Sequence, residues 1–232
     1  MKIKKIIKNL LYPVLAKIAP EKFKEHHELR FWKGVAKKEN NELSNQHYQF
    51  AYTEFFDIEP SWYTGKRILD IGCGPRGSLE WADMAAERVG LDPLVPDYLK
   101  LGADKHKMSY SAAPSEKMPF ADGHFDVVCT FNSLDHVADY QKTIAEIKRV
   151  TKPSGTLLII TEVNHKPTPT EPISLAWDFI KDLEDCFKLV KPLEKYEIGD
   201  HRIYNQLRNK DVYDESDQSD RPGILVAHLE RT

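Results

Sequence analysis

The sequence predicts an α/β protein: a doubly wound, mostly parallel sheet behind an N-terminal helical cap. Three observations carry that expectation. Strand-length apolar runs alternate with helical stretches from Arg67 onward. Several runs are apolar throughout, as strands covered on both faces must be. A glycine-punctuated turn closes the first run. Strands alternating with helices favour parallel pairing through crossover connections, and such sheets take ligands at the carboxyl ends of their strands.

The expected strands span residues 67–71, 88–91, 108–112, 125–131 and 156–163, with weaker signals at 188–198 and 224–229. Helices are expected between them at 78–87, 96–102, 139–150 and 172–187. In the third, Tyr140, Ile144, Ile147 and Val150 form one stripe. In the fourth, Ile173, Ala176, Trp177, Ile180, Leu183 and Phe187 form another, and Pro172 stands where a first helical turn tolerates it. Ahead of the sheet, residues 21–56 carry Phe31, Trp32, Tyr48, Phe50, Tyr52, Phe55 and Phe56 at helical rather than strand spacing, which predicts the cap. Residues 1–60 thus read as an amphipathic helix plus cap, and 61–232 as the main domain. Within the latter, the acidic tract 209–220 is expected to be a solvated insertion between the last two strands.

The 232 residues suffice for one sizeable core, and 41% hydrophobic with 30% charged residues is ordinary for a globular chain. A net charge of -3 supplies no positive field to gather phosphate backbones, which argues against nucleic acid as a partner. Cys73, Cys129 and Cys186 form no metal-type spacing and suit a reducing, cytoplasmic setting. At the N-terminus Lys2, Lys4, Lys5 and Lys8 are interleaved with an apolar helical face from Ile3 to Ile18. The segment is too short and too charged to span a bilayer. It reads either as a helix packed on the domain or on a partner subunit, as in a homodimer, or as a peripheral contact with the inner face of a membrane. Pro13, which interrupts the helix, favours packing.

Chemistry concentrates in R-I-L-D-I-G-C-G-P-R-G-S, residues 67–78. Gly72 permits a tight turn, Gly74 lets backbone approach a ligand, and the helix expected next would offer unpaired N–H groups. Asp70, two residues before Gly72, would repel a pyrophosphate and prefers a ligand with an ammonium group. Asp92 ends the second strand, where a carboxylate can accept from both hydroxyls of a ribose. The block S-E-K-M-P-F-A-D-G-H-F-D-V-V from Ser115 and the turn V-T-K-P-S-G from Val150 complete the pattern.

From about residue 67 to 163 the chain resembles the class I S-adenosylmethionine-dependent methyltransferases of the small-molecule type, in its D-x-G-C-G loop, E-x-M-P-F-x-D-x-x-F-D segment and K-P-x-G turn. The resemblance covers a little under half of the chain. It implies a seven-stranded Rossmann-like sheet, S-adenosyl-L-methionine as cofactor, and methyl transfer to an O or N atom of a small-molecule, sugar or lipid-linked acceptor. It places Asp70, Gly72, Cys73 and Gly74 around the methionyl end, Asp92 on the ribose, and Ser115 and Glu116 by the adenine. Asn132 falls beside the methyl donor. Relatives often carry an Asp just before the position of Ser115, where this chain has Pro114, so adenine packing is expected from Pro93, Leu94 and Met118.

Methyl transfer asks chiefly for alignment of acceptor, methyl carbon and sulfur. A hydroxyl acceptor also benefits from a base, and His136 is the first candidate, ahead of Asp135 and His165; its alternative role is to orient its own loop. Adjacent His26 and His27 point in different directions on a helix and read as solvated, with no metal site. Tyr48 and Tyr52, one turn apart, either close over the cofactor or pack. The competing functions are an NAD(P)-binding oxidoreductase, which the glycines and Asp92 would also serve, and a non-catalytic S-adenosylmethionine-binding module. No N/D-P-P-Y/F motif follows the fourth strand, where the chain reads F-N-S-L, and this disfavours planar amines of bases or glutamine as acceptors.

Overall fold

A computed structural model describes residues 17–198, 203–217 and 219–232. The cationic helix expected over residues 1–18 falls almost wholly outside them. Helix α1 (Pro20–Lys38) and the short α2 (Tyr48–Tyr52) precede the sheet. Its first five strands are β1 (Arg67–Ile71), β2 (Glu87–Leu91), β3 (Ser109–Ser111), β4 (Phe125–Phe131) and β5 (Thr151–Val163), followed by β6 (Phe187–Leu189), β7 (Glu194–Glu197) and β8 (Gly223–Arg231). Three further helices interleave them: α3 (Val95–Leu99), α4 (Tyr140–Val150) and α5 (Ile203–Asn209).

The strand order is β3-β2-β1-β4-β5-β8-β6, with β7 also paired to β8. Strands β1 to β5 pair in parallel, while β8 runs antiparallel to β5, β6 and β7. The sheet is therefore mixed, with eight strands rather than the expected seven. The extra strand arises because the run 188–198 is split. Pro192 has no N–H to give to a ladder, so β6 pairs with Leu229–Arg231 and β7 resumes further along the same edge of β8.

Both faces of the sheet are covered. Leu69, Val89, Val128, Leu157 and Ile159 face α4 and the segment around Phe179 and Leu183. Ile68, Val127, Cys129, Leu158 and Ile160 face Tyr48, Ala51, Tyr52, Phe55 and Phe56, so the aromatic stretch expected as a cap is core on this side. Helix α4 forms as its sequence dictates: the Asp139 side chain accepts from Lys142 N, capping the first turn, and Ile144, Ile147 and Val150 are buried in one stripe.

Two expected helices do not form. Residues 78–87 make successive turns, because the Arg88 guanidinium takes the carbonyls of Leu79 (3.1 Å) and Glu80 (2.6 Å), which a helix would give to its own N–H groups. The Glu80 carboxylate meanwhile caps Lys107 N and Met108 N. The Gly-rich turn is consequently not followed by a helix N-terminus. Residues 172–187 contain only a 3-10 turn at Phe179–Leu183. Their backbone is drawn into tertiary bonds instead, Ile173 N to Asp135 O and Asn164 N to Leu175 O, and the apolar side chains reach the core from an extended path. The described residues of the acidic tract are exposed apart from Tyr213, which is buried against Trp177. Among the described residues no helix is long and apolar enough to cross a membrane.

Candidate active site

The strand order reverses between β1 and β4, and the crevice at their carboxyl ends is where a doubly wound sheet receives ligands. The turn after β1 opens it. Gly72 and Gly74 have φ of 72° and 59°, in the left-handed region that disfavours a Cβ. A Cβ on Gly72 would also collide with Ser133, and one on Gly74 would lie 3.2 Å from the Trp32 ring. Cys73 points away from the crevice into the sheet: its Sγ is what a Cβ on Gly90 would strike at 2.6 Å. Burial pushes its thiol well above the usual range.

Asp70, at the end of β1, is buried and accepts hydrogen bonds from Ser78 Oγ and the Tyr52 hydroxyl. Burial outweighs those donors and the Asp92 charge adds to it, so its carboxyl is lifted to about 7. Asp92, at the end of β2, accepts from Leu94 N at 2.9 Å and from Gly74 N. Burial again dominates, the nearby Glu28 charge adds to it, and the carboxyl rises to about 6. Asn132 follows β4 with φ of 52°, and its buried Oδ1 has no hydrogen-bond partner. Asp70, Gly72, Gly74, Asp92 and Asn132 thus gather at adjoining strand ends. Pro93 is exposed beside them.

The remaining expected cofactor residues lie on the loop after β3 and are bonded toward α4. Ser115 Oγ meets Thr143 Oγ1 at 2.9 Å, Glu116 Oε1 accepts from Ala138 N and Asp139 N, and Met118 packs in the core with its N donating to Glu146. Glu116 thereby fixes the stretch just beyond His136. His136 ends a 3-10 turn at Leu134–His136, with Nε2 3.8 Å from Asp135 Oδ2.

Helix α1 crosses the crevice. Only Ala36 of this helix is fully buried, so it is held by its polar and aromatic contacts. Trp32 packs against Leu94, Tyr98 and Ala103 and donates from Nε1 to Glu28 at 2.7 Å. Arg76 of the Gly-rich turn grips Glu39 through both carboxylate oxygens, at 2.6 and 2.8 Å, which holds that acid at about 2. Lys24 Nζ donates to the His136 carbonyl at 2.7 Å. Apart from the Trp32–Glu28 bond, one helical turn apart, these contacts join segments far apart in the chain and were not visible in the sequence. Near Lys24, a cavity of about 530 Å³ opens between Pro20, Ala138, Pro169 and Pro172.

The fold and the site define a class. Residues 69–159 match the family model described as a methyltransferase domain. The sheet also superposes on the crystal structure of a S-adenosylmethionine-dependent methyltransferase from Aquifex aeolicus, with TM-score 0.57 at 18% identity over 88% of this chain and 98% of that one. Residues 69–159 thus carry a methyltransferase domain, in a chain whose fold is that of S-adenosylmethionine-dependent methyltransferases.

Among curated relatives, the chloroplastic tocopherol O-methyltransferase of Arabidopsis thaliana is 31% identical over 122 residues, 49% of this chain and 35% of that protein. A ubiquinone/menaquinone biosynthesis C-methyltransferase of Psychromonas ingrahamii is 30% identical over 155 residues, 62% of this chain and 58% of that protein. The chain therefore spans well under two thirds of the length of either relative.

The crevice suits the family's cofactor. Its buried acceptors, the Asp70 and Asp92 carboxylates and the orphaned Asn132 Oδ1, call for a ligand rich in donors and carrying a positive charge. S-adenosylmethionine offers an ammonium and two ribose hydroxyls. A pyrophosphate would meet Asp70, Asp92 and Glu28 as like charges, and Arg76 is already committed to Glu39.

Proposed function

We propose that this chain transfers a methyl group from S-adenosylmethionine to an O or N atom of a small acceptor, sugar or lipid-linked. The single observation that carries the reading is the grouping of Asp70, Asp92 and unpartnered Asn132 at the ends of β1, β2 and β4. When bound, the cofactor supplies a methyl on a sulfonium, a leaving group already activated. The protein's part is then to hold and align. Asp92 accepts from the ribose hydroxyls, Asp70 and Asn132 favour the ammonium, and the turn at Gly72 and Gly74 admits the methionyl backbone. Trp32 and Glu28 of α1 cover the bound nucleoside side.

The acceptor's body is assigned to the cavity near Lys24, whose walls of Pro20, Ala138, Pro169 and Pro172 suit an apolar group, with Lys24 and Glu21 at the polar rim. The names of the two relatives refer to tocopherol and to ubiquinone and menaquinone, all lipids, which supports an amphiphilic acceptor here. His136 acts on the acceptor's reacting group. His136→Ala should lower turnover about 100-fold or more while leaving cofactor affinity unchanged, since general acid–base groups contribute about 10²–10⁴-fold. An unchanged rate would return His136 to a loop-orienting role. The function itself is tested by incubating the full chain with methyl-labelled S-adenosylmethionine and a panel of phenolic, sugar and lipid-linked hydroxyl and amine acceptors. Label in an acceptor is expected; binding without transfer to any class of acceptor would favour a cofactor-binding module.

The cationic segment of residues 1–18 we assign to packing on the domain or on a partner subunit, which Pro13 favours. Equal behaviour of the full chain and of a chain truncated after Pro20 in flotation with anionic vesicles is the expected result. Flotation of the full chain alone would instead assign the segment to a membrane face.

A further inference from the structure

Asp135, His136 and Glu171 meet where the turns after β4 and β5 come together, and His165 lies against Asp135. Asp135 is only 2% exposed, and its Oδ2 lies 3.8 Å from His136 Nε2 and 3.7 Å from His165 Nε2. Donor atoms of Asp135, His136 and Glu171 all fall within 4.8 Å of one another. His165 is 9% exposed. Two of the buried atoms, Asp135 Oδ1 and His165 Nε2, have no hydrogen-bond partner.

The ring of His165 settles which kind of partner is missing. Its Nδ1 lies 3.2 Å from the Lys166 carbonyl, to which it can only donate. In the neutral ring Nε2 therefore carries the lone pair, and that lone pair faces a carboxylate. Two acceptors opposed in a dry site are costly unless something positive lies between them. A proton on Nε2 would give an ion pair at 3.7 Å but no hydrogen bond, since that separation is too long for one. A metal ion can ligate both atoms. Zinc sits about 2.0–2.2 Å from imidazole nitrogen and carboxylate oxygen, so tetrahedral ligand atoms stand roughly 3.3–3.5 Å apart; the Asp135–His136 and Asp135–His165 separations of 3.8 and 3.7 Å are close to that spacing. A backbone carbonyl holding the far ring nitrogen is also the usual support of a metal-ligating histidine.

We propose that Asp135, His136 and Glu171 bind one divalent transition-metal ion, with His165 beside Asp135 as a further imidazole within reach of it. Two residues of the cavity wall, Ala138 and Pro172, are close in sequence to His136 and Glu171. Imidazole and carboxylate donors without a thiolate suit Zn²⁺ or Mn²⁺. Either ion can take a further ligand, and the one this cavity offers is an acceptor hydroxyl.

The consequence for catalysis deepens the proposed methyl transfer and rests on it; the cation binding does not. With the metal in place His136 is a ligand rather than a free base. The coordinated hydroxyl loses its proton to solvent water, its oxygen forms the new O–C bond, and the methyl–sulfur bond breaks with its electron pair left on sulfur.

The test is calorimetric titration of the chelator-treated full chain with Zn²⁺ and, separately, with Mn²⁺, in the absence of S-adenosylmethionine. Because no cofactor is present, a failure here and a failure of methyl transfer are read independently. One equivalent of at least one ion should bind saturably, with affinity reduced about tenfold or more in Glu171→Gln and in His165→Gln, each checked for native circular dichroism. Glu171 is partly exposed on a loop, so that variant keeps the site testable even where a change at buried His165 disturbs folding. No saturable binding of either ion, or affinity unchanged in folded Glu171→Gln, would overturn the proposal.

Discussion

At the scale of single residues, the crevice is defined by acids that cannot easily stay charged without a ligand. Asp92 is the most informative, because two ribose hydroxyls would donate to it. A hydrogen bond to a charged group is worth about 1.5–3 kcal/mol, so Asp92→Ala should weaken S-adenosylmethionine binding about 10–100-fold in a calorimetric titration.

The same acids set a pH dependence. Folded Asp70 and Asp92 hold their protons up to about 7 and about 6, above the roughly 3.9 of an exposed aspartate. Between about pH 4 and 7 the folded chain binds more protons than the unfolded one, so the stability of the unliganded protein falls as pH rises through that window. A ligand that needs these groups as carboxylates reverses the preference. Cofactor affinity should weaken from about pH 8 to about pH 5, with protons released on binding at about pH 6, read by calorimetry in buffers of different ionisation heat. Affinity independent of pH across that range would contradict the assignment of both acids. These residues were legible in the sequence because each ends an apolar run, where the fold must present it. The cluster at Asp135, His136, His165 and Glu171 was only half legible: the three earlier positions stood out near strand ends, but their convergence depends on how two loops cross.

At the scale of elements, α1 is the piece whose role the sequence concealed. Its periodicity predicted a cap, but what it caps is set by Trp32 on Gly74, Arg76 on Glu39 and Lys24 on the His136 carbonyl. A helix with one fully buried residue is weakly fastened, and the partly exposed Arg76–Glu39 pair is its clearest clasp on the Gly-rich turn. Arg76→Ala should raise amide hydrogen exchange in α1 and weaken cofactor binding a few-fold, with exchange in β1 and β4 unchanged; protection of α1 equal to the parent would deny it a covering role.

The strands were legible because burial on both faces leaves a plain apolar signature, as in β1 and β4. Helices were less so. Apolar residues spaced three or four apart in 172–187 serve an extended, core-facing path equally well, and only tertiary bonds to Asp135 and Asn164 decide between the two. In 78–87 the deciding partner is Arg88, whose grip on two carbonyls no local pattern reveals.

At the scale of the whole molecule, the strand order places the Gly-rich turn and the two strand-end acids together at the ends of β1 and β2, next to the end of β4. Family and fold do not by themselves fix a reaction, since one scaffold hosts many chemistries. What distinguishes this crevice is its charge. It opposes pyrophosphate and favours a cationic nucleoside.

The most direct measurement is therefore calorimetric titration of the full chain with S-adenosylmethionine, S-adenosylhomocysteine and NAD, repeated on Asp92→Ala. Saturable binding of both adenosyl compounds, weakened in the variant, with no uptake of NAD, is the predicted result. Binding of NAD in preference to either adenosyl compound would contradict the account at its centre.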